Sequence, residues 1–314
     1  MRRTQRGVAL LVVLWACTLL AILVGGYASV ARVEATQTRF TLGQQRARYA
    51  AEAGVMQAIV LLDTRRRHAE LPEPGGIPQA DTALPGDGRS LAFDFDRLHV
   101  TVGILDENGK VDLNQADPRT LKALFIAAGC TAGRADALTA QVTVWRGYSG
   151  VAAGAAGEDH GALRLSTAHV EGEPKHAPFT SIEELQSVPG MDAALYTALE
   201  PAITVWSGQS QPQADFAPAL ALATFPGLDL AHARQAIAIR DSVPPGTALP
   251  NLPGGLSLGD ALPGNTMTFR AMADDGHGSR AMVEATVLFP MPGTQRQGRE
   301  PLYTVLRWRD GPGG

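Results

Sequence analysis

The sequence predicts an α+β protein: one long N-terminal helix packed on an antiparallel sheet, with a large all-helical domain inserted into that sheet. Three observations carry this. An uncharged apolar run, residues 8–31, passes without proline into a segment that keeps helical periodicity to about residue 66. Strand-like alternation appears at 91–113 and returns after 264. Between the two, residues 114–241 read as helices broken by Gly and Pro-Gly turns. The boundaries drawn are 1–7 for a leader, 8–66 for the helix, 89–113 and 264–310 for the sheet, and 114–263 for the insertion.

The chain opens with a basic stretch, Met1-Arg-Arg-Thr-Gln-Arg-Gly7, and turns apolar at once. About 20 such residues cross a bilayer core. Positive charge stays on the cytoplasmic side, so the N-terminus is expected inside and the body outside. Three readings are open. One is a secretory signal cut near Ser29-Val-Ala31. Another is a plain membrane anchor. The third is a short leader cut directly after Gly7, with the apolar segment kept. The residues after Ala31 favour the third: Val33, Phe40, Ala47, Gly54, Val55, Ala58, Ile59 and Leu62 form one apolar stripe at helical steps. A cleaved signal is normally succeeded by a break.

Arg6-Gly7-Val8-Ala9-Leu10-Leu11-Val12-Val13-Leu14 resembles the start of type II secretion pseudopilins, specifically the large minor pseudopilin, protein K. Gln44-Gln-Arg-Ala-Arg-Tyr-Ala-Ala-Glu-Ala-Gly54 resembles the helix of that family. The resemblance implies cleavage between Gly7 and Val8 by prepilin peptidase and N-methylation of Val8. Most relatives carry Glu as the fifth mature residue, and here that position is Val12. Protein K characteristically lacks this Glu, which in the family pairs with the amino terminus of a neighbour. A carboxylate in a membrane is costly unless paired. Its absence fits a subunit at the fibre tip. Val8 departs from the commoner Phe or Met.

The chain has 314 residues and a net charge of −4, which gives no overall pull toward nucleic acid. Cys17 lies in the membrane run and Cys130 in the body, so no intrachain disulfide is expected. Cys130 is read as a small buried apolar residue.

Residues 71–88 are rich in Pro, Gly and Asp and read as a linker. Strands come next at 91–95 and 98–105, then a tight turn at Asp106-Glu-Asn-Gly109. Asp106-Glu-Asn-Gly-Lys-Val-Asp-Leu-Asn114 resembles a distinctive passage of protein K. The helical block holds a near-repeat of helix, Gly turn, helix, with copies around Gly129, Pro189-Gly190 and Pro226-Gly227. Ser181 with Glu184 reads as a capping box, and Asp192 as a helix cap. Residues 147–177 are expected to form a loop and 243–263 a linker. Strands return at 266–272, 280–289 and 302–308, the first two joined by a hairpin turn at Asp274–Gly278.

Helix–Pro-Gly–helix units also resemble helix-hairpin-helix nucleic-acid modules, so a membrane-anchored or periplasmic nucleic-acid binder is the rival reading. Phosphate binding needs cations. Here Asp192 and Asp229 stand where a phosphate would approach, and no nucleic acid is expected. A second rival, a secreted enzyme, has no assembled nucleophile, base and orienter to support it. His160, His169 and His176 match no zinc spacing. Asp106, Asn108, Asp112 and Asn114 are oxygen ligands of the kind calcium prefers, and the resemblance permits calcium. Turn and cap roles explain the same residues.

The reading is therefore a non-enzymatic minor pseudopilin capping the tip of the periplasmic pseudopilus that drives export of folded proteins across the outer membrane. The resemblance implies a single-pass inner-membrane protein with a periplasmic body. Its implied partners are other minor pseudopilins in a heterotrimeric tip complex, prepilin peptidase, the inner-membrane platform of the secretion system, and the outer-membrane channel or cargo.

Overall fold

A computed structural model describes residues 6–70, 86–95, 98–147, 175–244, 247–259, 261–291 and 301–311. Its first element is α1 (Arg6–Glu70), 65 residues without a break. At about 1.5 Å per residue it is about 98 Å long. In the apolar half, two hydroxyls are satisfied by the helix's own carbonyls. Thr18 donates to the Trp15 carbonyl at 2.8 Å and Ser29 to that of Gly26 at 2.7 Å.

Residues 47–62 of α1 lie on a five-stranded sheet. The sheet begins with β1 (Asp87–Phe95) and β2 (Leu98–Asp106). A long excursion then leaves it. The excursion holds β3 (Val111–Asp112), α2 (Pro118–Ala127), α3 (Ala132–Trp145), α4 (Ala193–Leu199), β4 (Ile203–Thr204), α5 (Ala219–Leu222), α6 (Leu230–Asp241), β5 (Leu249–Leu252) and β6 (Leu256–Leu258). The sheet resumes with β7 (Thr266–Asp274), β8 (Arg280–Leu288) and β9 (Thr304–Gly311). Strand order is β1-β2-β7-β8-β9, every neighbouring pair antiparallel. β2 and β7 pair directly, Ile104 opposite Phe269, although residues 107–265 separate them.

Each face of the sheet arises from alternation. Val100, Val102 and Ile104 of β2, Phe269, Ala271 and Ala273 of β7, and Val283, Ala285 and Val287 of β8 are fully buried. They meet Ala47, Ala50, Ala51, Val55, Ala58, Ile59 and Leu62 of α1 in one apolar core. The block between β2 and β7 has its own core, built around Phe125, Leu138, Trp145, Leu185, Leu199 and Ile203.

The structure adjusts several expectations. The helix runs on to Glu70, past the predicted end at 66. Val33 and Phe40 sit on the stripe but are 57 % and 58 % exposed, because α1 projects beyond the sheet there. The block is not all helical. β3 pairs in parallel with β4, and β5 pairs with β6. The capping box is shifted by one residue: Ser181 makes no side-chain cap bond, and Glu184 instead accepts from Thr180 N at 3.0 Å and from the Thr180 hydroxyl. That segment, Ile182–Ser187, is 3₁₀ rather than α-helical, and the first helix of the third copy, α5, has only four residues, whereas its second, α6, has 12. Asp192 does cap α4, accepting from Leu195 N at 2.7 Å. Cys130 is half-buried against the block core, and Cys17 is exposed on α1. The leader residues 1–5, most of the 71–88 linker, and His160 and His169 lie outside the described residues.

Candidate assembly site

Two features position this chain for function: the double-sided helix α1 and the turn motif that starts the insertion. On α1, the buried row is small. Gly54 stands over β2, where a Cβ would come within 2.6 Å of Val100 Cγ1 and 3.2 Å of Val102 Cγ2. The helix can approach the sheet this closely only because Gly54 has no side chain. Directly opposite, Leu42, Tyr49 and Met56 recur every seven residues, as do Ala53 and Val60. Leu42, Tyr49 and Val60 are 46 %, 67 % and 58 % exposed. Two apolar columns with a seven-residue repeat are the pattern a helix offers to another helix.

Toward the N-terminus α1 is apolar on all sides. Leu10, Leu11, Val12, Val13, Leu14 and Trp15 are all exposed. This stretch is long and apolar enough to cross a membrane, and none of it is buried against the body. Gly7 and Val8 fall in the opening turns of α1, and the side chain of Val8 lies outside the described residues. Val12 is 56 % exposed within this apolar stretch.

The turn motif is held from inside. Asp106 accepts from Asn108 N at 2.8 Å and from Gly264 N at 2.5 Å, so one carboxylate ties the chain leaving the sheet to the chain returning to it. Burial raises its pKa, those two N–H donors oppose the shift, and the value settles at about 6. Glu107 is fully buried. Its Oε1 accepts from Lys110 Nζ at 2.5 Å and Thr268 Oγ1 at 2.6 Å, while Oε2 has no partner among the described residues. The Asn108 carbonyl accepts from Gln213 N at 2.7 Å. At Gly109 the Phe216 backbone passes where a side chain would begin. Asp112 accepts from Asn114 N at 2.8 Å, Gln115 N at 3.2 Å, Gly208 N at 2.8 Å and Ser207 Oγ at 3.2 Å. Asn114 brackets Phe179, accepting from its N at 2.7 Å and donating to its carbonyl at 3.0 Å.

Asp106, Asn108, Asp112 and Asn114 thus lie near one another in sequence but close separate turns. Among the described residues no group of three or more His, Cys, Asp or Glu side chains is gathered as for a metal.

The Pro-Gly turns also show their chemistry. Gly190 and Gly227 take positive φ, 89° and 81°, conformations that glycine adopts without strain. The next aspartates cap their helices, Asp192 through Leu195 N and Asp229 through His232 N at 2.8 Å. Arg134 is bound to Asp192 at 2.5 Å. The helix-end N–H groups that a phosphate would need are occupied by carboxylates.

Sequence reasoning missed the joint between sheet and block. On β9, Arg307 and Arg309 reach Glu183 and Glu200 of the block. Both also approach Glu284 of β8, at 3.6 and 3.1 Å, and Arg270 binds it at 2.7 Å. Burial raises the Glu284 pKa, but the hydrogen bond and charge of Arg270, with Arg309 and Lys110, outweigh it and hold the carboxyl below its ordinary range. Arg240 closes the other side, donating to the Asp215, Ala217 and Asp87 carbonyls. The available signal was the Arg-Trp-Arg alternation of residues 307–309.

Residues 93–208 match the family model of the type II secretion system protein K. The matched span contains the turn motif and both strands of the parallel β3–β4 pair. A search of the curated proteins finds no match. Among solved structures, a chain of the GspK–GspI–GspJ complex of the enterotoxigenic Escherichia coli type 2 secretion system shares the fold. It is 16 % identical, with a TM-score of 0.52 over 88 % of this chain and 99 % of that one. That match supports a minor pseudopilin role in type II secretion, and the helix-hairpin-helix reading gains no support.

Proposed function

We propose that this chain is a protein K that caps the tip of the periplasmic pseudopilus. The observation that carries the proposal is the second apolar row of α1: Leu42, Tyr49, Met56 and Val60 face away from the chain's own sheet. A helix with one row committed to its body and another free is suited to join a bundle of like helices. The similar solved chain is part of a complex of GspK with GspI and GspJ. By the same logic, two other minor pseudopilins are the partners here. Val12 supports the terminal position, since no carboxylate is present to pair with a neighbour's amino group. The inserted block widens the body, which suits an end position better than a stacked one.

In this proposal prepilin peptidase cuts after Gly7, Val8 is methylated, and the apolar helix leaves the inner membrane through the secretion platform. The body remains periplasmic, and its tip position meets the outer-membrane channel or cargo. The protein performs no catalysis. The test is co-purification of the full chain in detergent with the two other minor pseudopilins of its own system. A stable ternary complex supports the reading, and Val12→Glu is predicted to place this subunit within fibres rather than at their ends. Failure to co-purify refutes the proposal.

Calcium is proposed on the resemblance alone. Its test is melting in calcium and in chelator. A calcium-dependent rise in melting temperature lost in Asp112→Asn would assign the ion to the turn motif. No rise would leave Asp106 and Asp112 with their turn-closing roles.

A further inference from the structure

Between the apolar run and the sheet, α1 passes through a bare neck. Residues 31–42 are exposed on every side, and the body first closes on the helix at Gly43, where Ser279 of the β7–β8 turn fills the space a side chain would take. Arg32, Arg39 and Arg46 recur every seven residues, so they line one side of the neck and its continuation. All three are exposed, and none has an ion-pair partner among the described residues. Arg48, on another side of the helix, is bound to Glu52 at 3.1 Å and to Asp310 at 2.9 Å. Glu34 is the one acidic residue in the stretch 1–51. It lies two residues from Arg32 and so points away from the arginine column.

The column starts where the apolar run ends. Arg32 directly follows Ala31, and Tyr27, 78 % exposed, sits just below it, as tyrosines do at a membrane surface. Beyond the hydrocarbon, the headgroup layer is about 5–7 Å deep on each side. The Cα–Cβ bonds of a helix lean toward its N-terminus, so these side chains lean back toward the bilayer. Arg39 stands about 10 Å farther along the helix than Arg32, and its long side chain reaches back to the headgroups. Arg46 stands about 21 Å along, outside the layer and beyond the screening length of about 8 Å. Positive charge on the exported side of an apolar run opposes that orientation unless something anionic meets it there.

We infer that Arg32 and Arg39 form a binding site for the phosphate of an anionic phospholipid, in the outward-facing leaflet of the membrane that α1 enters. The inference rests on the apolar run lying in a bilayer, as proposed above. Guanidinium groups suit this ligand because they hold phosphate oxygens two at a time. Two such contacts fix the depth of α1, and withdrawal of the helix into a fibre requires their release.

The test reconstitutes the full chain in phosphatidylcholine vesicles that carry a trace of spin-labelled phosphatidylglycerol or spin-labelled phosphatidylcholine. Paramagnetic resonance then compares the immobilised fraction of each lipid. The wild-type chain is expected to prefer the anionic lipid. Each arginine near a membrane surface is worth about fivefold in affinity, so Arg32→Gln with Arg39→Gln is expected to lower the preference roughly threefold or more, the remainder belonging to Arg2, Arg3 and Arg6. Arg46→Gln is expected to leave the preference unchanged. A double variant that keeps the wild-type preference overturns the inference. An equal loss in Arg46→Gln also overturns it, because net charge and not a site would then attract the lipid. Entry into the vesicles with no preference sinks the lipid site alone. If the chain enters neither vesicle, the membrane reading falls and the site with it.

Discussion

Asp106 ties the insertion to the sheet, and Asp112 closes a turn within the insertion. Asp106 has a folded pKa of about 6, raised by burial above 3.8. The folded protein therefore binds this proton more tightly than the unfolded chain. Its contribution is fully present below about pH 4 and is lost as pH rises through 6. About two pKa units correspond to about 3 kcal/mol. Between pH 6 and 4 this group pushes the melting temperature upward on acidification, and Asp106→Asn is expected to remove that limb. An Asp106 carboxyl that titrates near 4 by NMR would contradict the assignment. Asp112 accepts four hydrogen bonds, three of them from backbone N–H groups. Asp112→Ala is expected to cost about 3 kcal/mol in urea unfolding, the order of losing charged hydrogen bonds in a buried turn. The sequence already displayed these oxygens, and turn chemistry was one of two readings for them. It could not show that Gly208, Gly264 and Phe179 would arrive as partners from distant segments. Those contacts depend on the closure of the fold.

At the scale of the element, α1 presents two apolar rows with different duties. Ile59 is 1 % exposed in the core under the helix, whereas Val60 is 58 % exposed on the free row. Ile59→Ala is expected to destabilise the body by about 3 kcal/mol through transfer and cavity costs. Val60→Ser is expected to change stability by less than about 0.5 kcal/mol while weakening assembly. Equal effects on stability would place the rows wrongly. Gly54→Leu should lift the helix from β2 and cost more than Gly54→Ala, as read by urea unfolding. The long helix and its buried row were legible because periodicity is a local signal that the sheet merely accepts. So were the strands that pair through the Asp274–Gly278 hairpin. The β3–β4 pair was not legible, since Val111 meets Ile203 only after the block has folded. Nor was β5, whose Leu249-Pro-Asn sequence suggests a linker. The Ser181 cap failed because Thr180, one residue earlier, offers both N–H and hydroxyl to Glu184.

At the scale of the whole molecule, the described residues form two apolar cores with an ionic joint between them. The cores share no buried residue. Glu284 sits at the joint, buried among Arg270, Arg307 and Arg309. Glu284→Ala leaves those guanidinium groups without their common partner and is expected to cost about 3 kcal/mol, detected as a lower urea midpoint. The Pro-Gly turns of the block serve as helix connectors, with Asp192 and Asp229 capping the helices beyond them. At this scale the central claim is that the apolar helix is retained in the mature protein and serves assembly. Intact mass and N-terminal sequencing of the protein recovered from membranes test this most directly. The account predicts a chain that begins at Val8 with one added methyl group. A chain that begins at Met1, or near Arg32, would contradict it.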